Sequence, residues 1–297
     1  MIEGMLTEGL VFGIMVLGVF STFRVLNFCD MTVDGSFPLG GAVAAMLLLK
    51  GANPALTLTA VFASGVIAGL VTTFIYTKFK IPDLLAGILT MTMLYSVNLR
   101  IMGRANVSLL DVPTMFSGRL ALSLPGDWGG VVAILIFAVI IKAALDLFYH
   151  TDMGLTMGAL GSNPQMVISQ GVNPTILRGI GICMANGFAA LSGAFYAMYQ
   201  GFADVGSGSG VVVSGLASLM LGEFIIKSNK IGFQTLRVIL GSVVYRALMY
   251  LARNYGYAVG MQTDDLKLIT GILIILCLAL SRADIKKFAK QHLTHQR

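Results

Sequence analysis

Apolar residues along this chain fall in long blocks, and most charges sit in the short stretches between them. The clearest charge-free runs are residues 51–77, 179–203 and 205–222. Runs that are shorter, or carry a charge near one end, are 9–23, 35–49, 84–103, 128–149, 236–253 and 266–281. A charge at the middle of a bilayer costs at least ~2.5 kcal/mol, so blocks of this length read as membrane-spanning helices. The pattern predicts an all-α, polytopic transmembrane bundle of about eight or nine spans. Run 35–49 is short for a crossing, which takes ~20 residues. Gly35, Pro38, Gly40 and Gly41 interrupt its start, which predicts a broken or re-entrant second helix buried by its neighbours.

Composition narrows the class further. Of 297 residues, 11% are charged, against ~25% in soluble domains, and the mean hydropathy is +0.84. The polar stretches, about 103–127, 150–175 and 281–297, are too short to fold alone, so residues 1–297 are expected to form one transmembrane domain. The opening MIEGMLTEGLVF has no Lys or Arg before Arg24. It lacks the basic start of a cleaved signal, so the first run is expected to be retained. Cys29, Cys183 and Cys277 have no metal-ligand spacing and read as small apolar fillers. In so apolar a chain the net charge of +6 points to cytoplasmic loops, and no nucleic-acid partner is expected.

The densest basic segment is 282–297, with Arg282, Lys286, Lys287, Lys290 and Arg297. The positive-inside rule therefore puts the C-terminus in the cytoplasm of a multi-pass cell-membrane protein. Counting nine crossings back from the tail leaves 13 of the 20 basic residues inside and puts the N-terminus outside.

No Gly-Lys dipeptide occurs, so a Walker A loop is absent, and no ATP or other cofactor is expected on this chain. A GxSxG nucleophile elbow is missing as well. His292 and His295 have no carboxylate or thiol beside them, which argues against a metal site. Asp83, Asp146, Glu223, Asp264 and Asp265 fall near span ends, which argues against an ion-coupled carrier with a carboxylate deep in a span. Asp30 and Asp34 read either as helix caps before the broken segment or as part of a permeation path. Arg246 lies midway along its run; it either snorkels or pairs with a helix end, or else lines the path or a dimer contact. Small residues four apart, Gly9/Gly13, Gly65/Gly69, Gly256/Gly260 and Ala185/Ala189/Gly193/Ala197, suit close helix packing.

The stretch of about 151–175 is the most organised of the polar segments. Asn163-Pro164 and Asn173-Pro174 bracket QMVISQGV. Asn before Pro leaves helical conformation, and Pro fits the first helical position. The pairs predict a short helix from Pro164 to Ser169 or Gln170, a stop at Gly171, and a new span after Pro174. Met166, Val167 and Ile168 are expected half-exposed, as in a helix that docks into a partner's groove. Gly161, just before it, suits unusual dihedrals or close approach by a partner.

At this loop the chain resembles the permease subunits of ATP-binding-cassette importers of the branched-chain amino-acid and ribose group. Gly158-Ala159-Leu160-Gly161-Ser162-Asn163-Pro164, followed by Gln165 to Gln170 and Gly171-Val172, is similar to that group's ATPase-coupling segment. Leu191-Ser192-Gly193-Ala194 and Asn27-Phe28-Cys29-Asp30 with Asp34-Gly35-Ser36-Phe37 extend the likeness. The blocks DMTVDGSF and LLAGILTMTMLYSVNLRIMG look like the single-permease branch that accompanies tryptophan/tyrosine-type binding proteins. The resemblance implies a coupling loop made of Gly158, Gly161, Asn163, Pro164, Gln165, Met166, Val167, Ile168 and Gly171. It also implies a cytoplasmic ATPase that binds the ATP, an extracytoplasmic binding protein or lipoprotein, a second permease copy in a homodimer, and an amino acid of the aromatic or branched-chain class as substrate. An ion-coupled carrier or channel, and a structural subunit of a membrane enzyme complex, are the alternatives.

Overall fold

The computed structural model describes residues 2–110, 112–117, 128–226, 228, 230–256 and the isolated positions 268, 271, 272 and 275. The expected span 266–281, apart from those four positions, and the basic tail lie outside the described residues.

Helix α1 (Ile2–Val19) continues into a π-helical turn, Phe20–Val25. After a break come α2 (Val33–Leu49), α3 (Pro54–Lys78) and α4 (Asp83–Met102). A three-residue strand β1 (Asn106–Ser108) precedes α5 (Trp128–Tyr149), α6 (Asp152–Ser162) and α7 (Pro164–Ser169). Then follow α8 (Pro174–Gln200), strand β2 (Phe202–Asp204), a 3-10 turn at Val205–Gly208, α9 (Val211–Ile225) and α10 (Ile231–Gly256). Seven segments are long and apolar enough to cross a membrane among the described residues, and α2 is a shorter apolar eighth. The helical bundle predicted from the pattern is thus observed.

Local chemistry sets most boundaries. Asn53 and Asn173 each cap the helix that starts at the following proline, their Oδ1 atoms accepting the N–H of Ala55 and Thr175 at 3.0 Å. Gly103 and Gly201 end α4 and α8 in the left-handed region, at φ +69° and +77°. The small antiparallel ribbon of β1 and β2 is a departure from a purely helical chain. It ties the segment after α4 to the turn after α8.

The two most enclosed spans are α1 and α8, whereas α3, α4, α5 and α10 turn large apolar side chains such as Ile67, Leu89, Ile140 and Leu251 outward. That arrangement suits a bundle in lipid, where tails solvate leucine as well as a core does and association depends on close packing. The α2/α8 contact shows it: a Cβ at Gly40 would fall 1.8 Å from the Ala190 carbonyl oxygen, and one at Gly193 1.8 Å from that of Phe37.

Two of the spans begin inside the bundle. The stretch 26–32 separates α1 from α2; α2 itself is buried by its neighbours as expected, but it runs unbroken through Gly35, Pro38, Gly40 and Gly41. The second break falls in run 205–222, where Gly206-Ser207-Gly208-Ser209-Gly210 reads in the sequence as a loop or helix start: the chain divides at Ser209-Gly210, with Gly210 at φ +80°.

Candidate functional site

Residues 151–173 form a compact cap on one end of the bundle. Thr151 caps α6, a helix where the sequence suggested a connector. Asn163 is extended and its Oδ1 accepts the Met166 N–H at 3.3 Å, opening α7 at Pro164 as predicted. Gly171, at φ +79°, follows α7 and supplies the stop.

The expectation for Val167 is corrected. Met166 and Ile168 are 51% and 47% exposed, but Val167 is fully buried against a cluster containing Leu26, Met157, Leu160, Leu177 and Ile182. One apolar residue pins the short helix while its two neighbours and Gln165 face outward. A single helical turn cannot bury three successive side chains on one face, since each is rotated by about 100° from the last.

The glycines also divide. A Cβ at Gly158 would meet nothing within 4 Å, whereas one at Gly161 would fall 1.8 Å from the Val25 carbonyl oxygen. Gly161 is therefore a close-packing point of α6 on the end of α1 in the same chain. Beside it, Glu223 joins Arg24 at 2.9 Å and Arg237 at 3.1 Å, linking α1, α9 and α10 at this end.

The second constellation lies where the helices break. Asp30 Oδ1 accepts the Thr32 N–H at 2.9 Å, and its Oδ2 accepts from Asn186 Nδ2 at 2.7 Å. Ser36 donates to Asn186 Oδ1 at 2.7 Å, and the Thr32 and Thr72 hydroxyls lie 2.8 Å apart. All five of these side chains are buried, and Asn186 stands near the middle of the 27-residue α8. Asp34 caps α9: its Oδ1 accepts the Val212 N–H at 2.7 Å and its Oδ2 that of Gly210 at 3.1 Å. A carboxylate on the positive end of a helix is favourable.

These contacts amend two readings. Carboxylates do lie deep in the bundle, because the two breaks carry them there. Asp34, moreover, caps a helix distant in sequence and not the one it sits in. Asn186 and Asn98, each a buried amide inside an otherwise apolar run, were the signals available in the sequence and left unused.

Arg246 joins neither constellation. Its guanidinium lies over the Phe12 ring, 3.4 Å from the centroid, and pairs with Glu8 at 3.5 Å. Gln200 also donates to Glu8, at 3.1 Å. Arg246 ties α10 to α1 near the end opposite α7.

A lipid-facing bundle with a polar break inside and a short helix at one end has the architecture of a solute permease. The chain belongs to the family described as "Branched-chain amino acid transport system / permease component", which matches residues 1–278. It is 39% identical to the tyrosine transport system permease protein of Clostridioides difficile (strain R20291) over 284 residues, 96% of this chain and 92% of the relative. An uncharacterised protein of Rickettsia prowazekii (strain Madrid E) is 34% identical over 281 residues, 94% of this chain and 98% of the relative. The ribose import permease protein RbsC of Escherichia coli (strain K12) is more distant, 22% identical over 249 residues, 83% of this chain and 75% of the relative. No solved structure matches the chain.

Proposed function

We propose that this permease is the membrane subunit of an ATP-driven, binding-protein-dependent importer for an amino acid of the aromatic or branched-chain class. In this reading a cytoplasmic ATP-binding-cassette ATPase docks on α6 and α7. A second copy of the chain completes the path, and an extracytoplasmic binding protein or lipoprotein delivers solute at the opposite end. The C-terminal tail then lies in the cytoplasm.

The observation that carries the reading is α7 itself. Its start and stop are both fixed locally, Val167 anchors it to the bundle, and Met166 and Ile168 are left uncovered at one end. That is a rigid apolar knob suited to a partner's groove. The kinship with a permease named for tyrosine transport supports the substrate class.

Reconstitution tests it. The purified chain alone should hydrolyse no ATP. With its ATPase and binding protein in proteoliposomes, it should take up tyrosine or leucine only when ATP is supplied. ATP turnover by the isolated chain would overturn the assignment, and uptake driven by an ion gradient without ATP would point to a secondary carrier.

A further inference from the structure

A cavity of about 370 Å³ opens between α2, α4 and the 3-10 turn at Val205–Gly208. Its size is within the ~300–1,000 Å³ of small-molecule sites. Asp34, Thr92, Asn98 and Ser209 are the polar members of its wall, with Met91 and Tyr95 among the rest. Asn98 is completely buried, and its Nδ2 donates to the Gly35 carbonyl at 3.2 Å. That bond fixes which way the amide points, because a flipped amide would set two oxygens against each other. Asn98 Oδ1 is left with no hydrogen-bond partner among the described residues. A buried acceptor without a donor costs roughly what a lost hydrogen bond does; this oxygen has no accessible surface, so Asn98 backs the wall, and Asp34, which keeps some exposure, is the charged group on the cavity side.

The charge points the same way. Asp34 already occupies the N-terminus of α9, so that helix end does not offer itself to an anion. The helix end carries about half a positive charge, less than the full negative charge it meets. The Asp34 carboxylate faces the backbone N–H groups of Gly210, Val211 and Val212, whereas a carboxylate offers about four acceptor sites. None of the described residues lining the cavity is basic. What remains is an acidic group with spare acceptor capacity, no basic neighbour and the exposed ring of Tyr95, which can also attract a cation.

We propose that this cavity holds the protonated amine of the transported solute against the Asp34 carboxylate, with the solute's apolar side chain against Met91 and Tyr95. The proposal rests on the amino-acid permease reading and adds to it where, and by which group, the permease itself recognises its solute.

The test is equilibrium binding of radiolabelled tyrosine and leucine, up to millimolar ligand, to the purified full-length chain in nanodiscs. Tyramine, which keeps the amine, should displace bound tyrosine. 3-(4-Hydroxyphenyl)propionate, which lacks it, should do so at least ~10-fold more weakly, the loss expected when a charged hydrogen bond is forfeited. Asp34→Asn should weaken binding at least ~10-fold by the same reasoning. Because Asp34 also caps α9, Thr92→Trp is the second variant. Thr92 is exposed on the cavity wall, so the indole fills the space without entering the core and should abolish binding. Binding unchanged in Thr92→Trp, stronger displacement by the deaminated acid, or no binding of either amino acid to the wild-type chain overturns the site. ATP-dependent uptake by reconstituted complexes reports separately on the importer. Wild-type uptake by Thr92→Trp removes the site and leaves the importer standing, whereas loss of binding and of uptake together in that variant supports both.

Discussion

Gly158 and Gly161 are three residues apart and look equivalent in the loop, yet their surroundings differ completely. The first faces open space, and the second stands against the Val25 carbonyl. Gly158→Ala should hold or slightly raise thermal stability in detergent, because alanine suits a helix interior better than glycine. Gly161→Ala must push α6 off the end of α1, an overpacking cost of about 1–3 kcal/mol, read as a lower unfolding temperature. Equal stability of the two variants would show that α6 can shift freely. Arg246 and Val167 carry the same lesson, since their sequence positions named them as candidates and their contacts decided their roles.

At the scale of elements, α7 is the most legible part of the molecule. Two Asn-Pro pairs and one glycine mark its limits, and each acts within a single turn of backbone. The face it shows was not legible, because only docking on Leu26, Leu160 and Ile182 decides that Val167 turns inward. Met166→Asp with Ile168→Asp should therefore abolish capture of the ATPase in a pull-down while the unfolding temperature of the permease holds. Val167→Asp should instead lower that temperature, since it buries a carboxylate without a partner. Retained capture by the double variant would reduce α7 to a connector. The two helix breaks make the complementary case: the glycines and proline of α2 stand inside an unbroken helix, while the glycine-serine string before α9 marks its break in the sequence.

Across the whole molecule, the described residues put more basic side chains at one end of the bundle than at the other. Arg24, Lys78, Lys80, Lys142, Arg178, Lys230 and Arg237 gather at the end that bears α6 and α7, while Lys50, Arg100, Arg104, Arg246 and Arg253 lie towards the other. Glu8, near the start of α1, contacts Gln200 at the far end of α8 from the loop, so the N-terminus and the loop lie at opposite ends. With the basic end inside, an impermeant thiol reagent on intact cells should label Lys50→Cys, and Ser162→Cys only after permeabilisation. Labelling of Ser162→Cys in intact cells would invert the molecule and remove the ATPase docking face from the cytoplasm.

The sequence by itself determined that the chain is a bundle of long apolar helices, where α7 begins and ends, and that no Walker A loop is present. Each of these depends on composition or on interactions within a few residues of chain. Tertiary structure alone decided that Asp34 caps a helix beginning at Val211, that Asn186 joins Asp30 to Ser36, and that a cavity with an unpaired amide oxygen lies beside them. The physical reason is that helix-to-helix packing in lipid is selected by steric fit between small-residue faces. Many pairings of such faces are compatible with one hydrophobic pattern, and only the folded bundle shows which pairing sets these polar groups together.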